Sequence, residues 1–551
     1  MILLLFLVSC NNGSGSEKIK AAVICTSPEA AKIGIDVLKK GGNAFDAAVA
    51  VGFAMAVAWP SAGNIGGGGF LVGRTAANEA FTIDYREKAP MLGFKDMFLD
   101  EKGEPVEDMS TYGYAASGVP GSVDGMWRFH QKYGSLPWKD LVQPAIDLAE
   151  NGFEMTRDLA SSLNYQAENL SKTPEAAAIF TKTGGFVIGD RLIQKNLANT
   201  LRKVAEQGRD GFYTGEVAEE IARSVEEKGG FIRLKDLEQY EAKFRDPIRF
   251  NYRGYEIISM PPPSSGGTAL YAILKSFERY NPADYPYASA EYIQLFTEIC
   301  RQVYADRSEF LGDPDFYEVP MQKLLSDEYI SMITDQIKFA DQHLTSEQVK
   351  PAKDLIAEST ETTHWSIVDE KGNMVSNTTT LNGGYGAKVV AGSTGFLLNN
   401  EMDDFSIKPG VANMYGLLGN IANAIEPGKR MLSSMTPTLI LKDGKPFMTV
   451  GSPGGSRIIT IVAQAIIRVI DYNYSMNEAV NLARIHHQWL PDEIQFERGA
   501  MSFSVAEQLK SWGYELNRYS SYGDCHGILF KNDGNLQLGI STRSNGAAEW
   551  Y

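Results

Sequence analysis

Cysteine is scarce in this 551-residue chain, with only Cys10, Cys25, Cys300 and Cys525. Their wide spacing, without any C-x-x-C, excludes a zinc-ribbon or thioredoxin-type site. Buried free thiols are expected, with one pairing in an oxidising compartment as the alternative. Histidine is nearly as rare, at six residues. His486 and His487 are adjacent and cannot share a helix face, so they are expected to be structural and no metal is expected. Positive charge is also short: 52 Lys and Arg stand against 68 Asp and Glu, for a net charge of −16. Such a surface repels phosphate backbones, and no basic stripe with interleaved aromatics offsets it, which argues against a nucleic-acid partner. No Ser/Gly-rich or charge-block stretch divides the chain after its first twenty residues, and no repeat of ~20 to 50 residues is present. A length prior of about three or four domains at ~150 residues each therefore finds no linker to support it. A phosphate loop is missing as well. The glycine run at residues 66–69 leads from a helix into a strand, and no Lys-Ser/Thr follows it. Close backbone packing or a special turn is the better account of four glycines. With no nucleotide, flavin or metal motif, no cofactor is expected.

The chain opens on "MILLLFLVSC". Its apolar run, residues 1–8, is far shorter than the ~20 residues a membrane span needs. It fits the apolar core of an export signal. "LVSC" resembles the bacterial lipobox, which implies lipidation at Cys10 and loss of what precedes it. One departure is that no Lys or Arg precedes the apolar run; the simpler alternative is an apolar N-terminus with no address. Residues 1–10 are thus expected to be a lipoprotein-type signal and residues 11–20 a flexible linker. The expected location is periplasmic or cell-surface, touching membrane only through a lipid anchor.

"SPEAAKIGIDVLKKGG" predicts a helix. Ser27 can cap it, Pro28 suits its first turn, Glu29 suits its positive end, and Ala30, Ile33, Val37 and Leu38 form an apolar stripe. "NAFDAAVAVGFAMAVAWP" predicts a second helix, apolar nearly all round and therefore buried, which Trp59-Pro60 stops. Residues 130–350 read as mostly helical. After residue 360 strand-like runs dominate: "HWSIVD", "NMVSNTTT", "PTLILKDG" and "PFMTVG". Helical patterns return in "SRIITIVAQAIIRVID", "NEAVNLARI" and "VAEQLKSWG". Helices first and strands later, without regular alternation, predict a layered α+β fold.

The stretch "AESTETTHWSIVDEKGNMVSNTTTLN" carries threonine at 360, 362 and 363, then at 378, 379 and 380. β-propensity alone accounts for many threonines in strands. "DEKGN" makes a good hairpin loop. Centred on Lys371, paired positions sum to 742, so Asp369 faces Asn373 and Thr362 faces Thr380, with directly opposed Cβ atoms roughly 4.5 to 5.5 Å apart. A threonine hydroxyl is a weak nucleophile unless a base activates it, and an N-terminal threonine carries its own base, the α-amine. That amine has an unperturbed pKa of ~7.7 to 8.0, so part of it is free base near neutrality. Thr362 becomes N-terminal only if the chain is cut before it, and the same hydroxyl can make that cut by attacking the Glu361 carbonyl. Spacing alone leaves both accounts of the hairpin open.

Further motifs lie along the chain: "GGNAFDAAVAVGFAMAV", "AGNIGGGGF", "IDYREKAP", "ASGVPGSV", "ETTHWSIVD", "LLNNEMDDFS", "LSSMTPT", "GSPGGSRIIT" and "HHQWLPDE". Together they resemble the γ-glutamyltranspeptidase (γ-glutamyltransferase, glutathione hydrolase) family from about Ala21 to Tyr551. The resemblance implies an N-terminal nucleophile hydrolase with a four-layer αββα sandwich and a proenzyme that cuts itself between Glu361 and Thr362. Residues 21–361 would form a large chain and 362–551 a small one, entwined as a single domain over 21–551, which accounts for the missing linker. The implied partners are glutathione and other γ-glutamyl compounds, with amino acid or dipeptide acceptors.

A γ-glutamyl group presents an α-carboxylate, an α-ammonium and a γ-carbonyl. Arg86 offers the carboxylate a planar fork, and Ser433 and Ser434 add hydroxyls. A surface salt bridge with Glu87 is the simpler account of Arg86 taken alone. Glu401 and Asp404, with the amide of Asn382, offer acceptors to the ammonium, although an acidic pair in a loop is more often solvated surface. Gly454 and Gly455 precede the helix "SRIITIVAQAIIRVID", where backbone N–H groups and the positive helix end would stabilise an oxyanion; an ordinary glycine-rich helix entry is commoner. Thr380 would hold Thr362, and Thr363 would support the same network. "PGVANMYGLLGN", residues 409–420, matches the family's lid loop, and Tyr415 its lid tyrosine. The rivals within the fold are a glutaryl-cephalosporin acylase, whose side chain lacks an α-amine, and a poly-γ-glutamate depolymerase, which an open site without a lid would suit. From another class, an inactive surface-binding lipoprotein would not need these positions intact.

Overall fold

The computed structural model describes residues 18–349, 362–408, 411, 413–414, 417, 419–544 and 546–551. The expected lipidation site Cys10, the processing residue Glu361 and the lid residue Tyr415 lie outside the described residues.

Two antiparallel sheets form the centre. The first has seven strands, in the order Ala547–Trp550, Ala22–Cys25, Thr363–Val368, Met374–Thr380, Gly68–Arg74, Ala80–Asp84 and Lys243–Arg245. The second has six, in the order Leu536–Gly539, His526–Phe530, Lys445–Gly451, Thr438–Lys442, Tyr255–Ser259 and Ile248–Tyr252. Period-two alternation divides each inner strand between two layers. Val23, Cys25, Trp365 and Ile367 pack into the core containing the helices Pro28–Lys39 and Ala44–Ala58. Ala22, Ile24 and Val368 join the other core, with Leu439 and Ile440 of the second sheet and the helices Gly266–Glu278, Ala290–Phe310 and Ile458–Ile470. Helices outside, two sheets inside, is the layered arrangement of the N-terminal nucleophile hydrolases.

The first two helices form where their sequences place them. Ser27 Oγ accepts from Ala30 N at 3.3 Å to cap Pro28–Lys39. Asn43 Oδ1 accepts from Phe45 N and Asp46 N, both at 2.9 Å, while Asp46 Oδ2 accepts from Asn43 N at 2.9 Å, a reciprocal capping box. Every residue of Ala44–Ala58 is buried. Cys25, Cys300 and Cys525 are free and buried.

The region expected to be mostly helical contains three strands between residues 243 and 259. In Ile248–Tyr252 the two end residues are buried, while Arg249 and Asn251 are exposed. That alternation is a strand signal, embedded among longer helical patterns that mask it.

The hairpin takes the expected register. Pairs run from Met374 with Val368 to Thr379 with Thr363, all summing to 742. Asp369 organises the turn: its Oδ1 accepts from Lys371 N and Asn373 N at 3.0 Å, and its Oδ2 from Asn373 Nδ2 at 2.6 Å and Ala44 N at 2.9 Å. The glycine run packs tightly against this hairpin. A Cβ on Gly67 would lie 2.2 Å from Thr380 O, and one on Gly69 would lie 2.4 Å from Thr378 O. Side chains there would push the neighbouring strand away.

Candidate active site

Thr362 lies one step beyond the last ladder pair, so the register carries it opposite Thr380. It is 7% exposed, which leaves the hydroxyl reachable while most of the residue is held. Thr380 Oγ1 accepts from Asn382 N at 2.7 Å, and Asn382 Nδ2 donates to Asn400 O at 3.0 Å. Thr363 alternates to the other side of the strand, where its Oγ1 lies 3.3 Å from Thr26 Oγ1.

One cleft, of about 300 Å³, is lined by Thr362, Thr380, Asn382, Arg86, Glu401, Asp404, Ser433, Ser434 and Gly455. Arg307 and Ser456 line it too, so two arginines that precede Thr362 in the chain meet residues that follow it. On its other side Thr362 borders a more open cavity of about 650 Å³, shared with Gly454, Thr26, Trp59 and Asp524. The nucleophile candidate stands where the two spaces meet, and the glycine pair straddles them.

Arg86 is not a surface residue. It is fully buried, as is Glu87, whose Oε2 lies 3.5 Å from Arg86 Nη1. Nη1 also pairs with Glu401 and Nη2 with Asp404. Nε donates to Met431 O at 3.3 Å and Nη2 to Leu432 O at 3.2 Å, which aims the fork along the segment that carries Ser433 and Ser434. Burial opposes ionisation of this guanidinium, but Glu401, Asp404 and Glu87 outweigh it and raise its pKa. The acids are crowded in turn. Burial is the largest cause raising Glu401, Asp404 and Glu87, the last to about 7. Three buried carboxyls crowd one cation, so after burial each carboxylate's charge further opposes ionisation of its neighbours.

The acidic turn Glu401–Asp404 is held from below. Asn399 Oδ1 accepts from Glu401 N at 3.0 Å and Gly118 N at 2.9 Å, and its Nδ2 donates to Gly66 O and Gly118 O at 2.8 Å. Three of the sequence motifs therefore converge on one asparagine. Asp404 Oδ1 accepts from Asn413 Nδ2 at 3.1 Å, and Asp403 Oδ2 from Met414 N at 2.8 Å. Leu417 lines the cleft, and Asp404, the partner of Asn413, lines it too.

Gly454 has φ +139° and Gly455 φ +55°, backbone conformations that favour glycine. They lead through the short turn Gly455–Arg457 into the helix Ile458–Ile470. Their N–H groups belong to the positive end of that helix.

Sequence reasoning missed Arg307. It sits in the long helix Ala290–Phe310, is buried, and lines the cleft. Its Nη2 donates to Ser434 Oγ at 3.0 Å and its Nε to Ser265 Oγ at 2.9 Å. Every residue from Tyr292 to Ser308 is buried, polar ones included, so the residue pattern does not set this arginine apart.

His486 and His487 are bound up in structure, with His486 Nδ1 2.8 Å from Thr460 Oγ1 and His487 Nε2 3.2 Å from Asp492 Oδ1.

Comparison with known proteins gives a consistent answer. The family model "Gamma-glutamyltranspeptidase" matches residues 30–551. The chain is 46% identical over 517 residues to the "Glutathione hydrolase proenzyme" of Escherichia coli (strain K12), covering 94% of this chain and 89% of that protein. Among solved structures, γ-glutamyltranspeptidase from Helicobacter pylori is 45% identical, covers 59% of this chain and 94% of the solved one, and superposes with a TM-score of 0.58. Cephalosporin acylase from Bacillus halodurans is 25% identical, covers 99% of each chain, and superposes with a TM-score of 0.84. With a family model spanning nearly the whole chain and a relative this similar over most of its length, the chain belongs to the γ-glutamyltranspeptidase family.

Proposed function

We propose that this protein is a self-processing γ-glutamyltransferase and glutathione hydrolase with Thr362 as its nucleophile. The observation that carries the proposal is the single cleft shared by Thr362, Thr380, Arg86, Glu401, Asp404 and the two serines. A γ-glutamyl group is a zwitterion at one end and an amide at the other. The cleft pairs a guanidinium and two hydroxyls with a set of carboxyls, the complement of an amino acid head group. In the free protein these opposite charges satisfy one another. A bound substrate would exchange those internal pairs for its own carboxylate and ammonium, which keeps every buried charge matched.

The chemistry follows from the N-terminal threonine. Its α-amine removes the proton from Thr362 Oγ1 as that oxygen attacks the γ-carbonyl carbon. The carbonyl oxygen becomes an oxyanion, facing the backbone N–H groups of Gly454 and Gly455, where one lost donor typically costs ~10² to 10³ in turnover. The C–N bond breaks, the ammonium returns its proton to the leaving amine, and a γ-glutamyl ester remains on Thr362. Water then gives glutamate, or the amine of an amino acid or peptide gives a new γ-glutamyl amide, and Thr362 is released. Processing uses the same hydroxyl on the Glu361 carbonyl and separates chains 1–361 and 362–551. The expected N-terminal signal and lipid anchor at Cys10 would put this activity outside the cytoplasm.

The test is purified protein with a chromogenic γ-glutamyl anilide, with and without a dipeptide acceptor. Active protein should run as two chains, and the smaller should begin Thr-Thr-His. Thr362→Ala should remain a single, inactive chain. Full turnover by a wholly uncut preparation would refute the proposal. The acylase alternative draws on the likeness to the Bacillus halodurans cephalosporin acylase. A glutaryl group has no ammonium to occupy Glu401 and Asp404, which favours the γ-glutamyl substrate.

A further inference from the structure

Arg307 contributes a second guanidinium to the cleft, and its partners differ from those of Arg86. Arg86 is surrounded by carboxyls, whereas Arg307 donates to two hydroxyls, Ser434 Oγ at 3.0 Å and Ser265 Oγ at 2.9 Å. A guanidinium only donates, so each serine oxygen must accept from it and send its own proton elsewhere. For Ser265 the destination is visible: Oγ donates to Ser433 O at 2.7 Å, beside the Ser265 N–H bond to the same oxygen at 2.7 Å. Arg307 therefore fixes both the position of the Ser433–Ser434 backbone and the direction of the Ser434 hydroxyl. Ser434 lines the cleft, and with Arg307 donating to its oxygen its own proton can turn to an acceptor bound there.

We infer that Arg307 is a positioning residue: it locks Ser434 as a hydrogen-bond donor to the substrate's α-carboxylate and supplies the buried positive charge which that carboxylate balances. The inference rests on the proposed γ-glutamyl site and adds a residue to it. Burial is the main influence on Arg307 itself and pulls its pKa down to about 10, as expected of a cation whose bonds go to neutral groups. An arriving carboxylate would relieve that cost, so the position favours substrates with an acid at this end. Arg86, already paired with acids, must give up those pairs before it can do the same.

The experiment compares two anilides, γ-glutamyl and 4-aminobutyryl, which differ only in the α-carboxylate. Each is assayed with wild type, Ser434→Ala, Arg307→Met and the double variant, using two-chain processing and Tm to verify folding. Loss of one charge-assisted hydrogen bond should lower the kcat/KM preference for γ-glutamyl about tenfold in each single variant. The double variant should fall little further, because the two residues act as one unit. General structural damage would lower both substrates together and leave the ratio unchanged. If Ser434→Ala lowers the ratio and Arg307→Met does not, this inference is wrong and the carboxylate site stands. If neither moves it, the carboxylate site itself is misassigned and the inference falls with it. Should Arg307→Met fail to fold, Arg307→Lys decides: the charge remains but the two-way fork is lost, so a lowered ratio supports the inference and an unchanged one overturns it.

Discussion

The backbone N–H of Asn382 donates to Thr380 Oγ1 at 2.7 Å, so the hydroxyl that the register carries opposite Thr362 is fixed by its own chain. In the proposed mechanism Thr380 holds Thr362, its neighbour across the hairpin. Thr380→Val should lower kcat roughly 10²-fold, the usual cost of a slightly misplaced reacting group, with little change in KM. It should slow self-cleavage in parallel. Thr380→Ser, which keeps the hydroxyl, should retain most of both. Steady-state kinetics and the rate of chain separation on gels would check this, and an active Thr380→Val enzyme would remove the residue from the mechanism.

Arg86 binds three acids and two backbone carbonyls at once, a task that needs the planar fork. Arg86→Lys should raise KM for the γ-glutamyl anilide about tenfold while processing survives, because the precursor has no free α-carboxylate at the cut. Arg86→Met should do more harm. It strands buried acids, and breaking such a network typically costs ~3 to 5 kcal/mol, so its Tm should drop clearly below that of Arg86→Lys. A KM unchanged in Arg86→Lys would remove this role.

Protons should move when substrate binds. In the free protein burial raises Glu87 to about 7, and Glu401 and Asp404 also lie above their ordinary values. A bound α-ammonium takes the place of Arg86 beside Glu401 and Asp404, and these acids hold it only when ionised. Binding is then favoured where the acids are already ionised, above the free-protein pKa, and weakens as pH falls through it. KM should rise as pH drops from about 8 to about 6, and calorimetry in buffers of different ionisation enthalpy should detect proton release on binding. Proton uptake, or a flat KM, would contradict this arrangement.

Asp404 should help tell γ-glutamyl from glutaryl groups. A charge-assisted hydrogen bond is worth roughly 1.5 to 3 kcal/mol, or about one to two decades. Wild type should favour the γ-glutamyl anilide strongly over the glutaryl one. Asp404→Asn should narrow that ratio of specificity constants, chiefly by weakening the γ-glutamyl substrate. A ratio that stays put would mean that Asp404 does not read the amine, and would strengthen the acylase alternative.

The hairpin and the first helices are legible in the sequence because they depend on local rules. Asp369, Gly372 and Asn373 mark the turn, and a turn fixes a register, so the neighbours of Thr362 can be counted from Lys371. The cap at Ser27 obeys equally local chemistry. What the sequence hides is set by distant contacts. The burial of Arg86 depends on acids more than 300 positions later in the chain. Arg307 looks like any arginine on a helix until Ser265 and Ser434 close around it. The strands between residues 243 and 259 are edge-side pieces whose weak alternation only makes sense beside their partners.

The strand order has a consequence for the life of the mature enzyme. Thr363–Val368 is hydrogen-bonded to Ala22–Cys25, Met374–Thr380 to Gly68–Arg74, and Thr438–Lys442 to Tyr255–Ser259, so neighbours repeatedly come from opposite sides of the proposed cut. Folding of the precursor is a first-order event within one molecule. After scission the same ladders can be rebuilt only by two molecules finding each other, so recovery becomes second order and depends on dilution. The peptide bond before Thr362 is thus needed during assembly and dispensable afterwards. Precursor denatured before processing should regain its structure at any concentration, whereas mature protein denatured to separate chains should not.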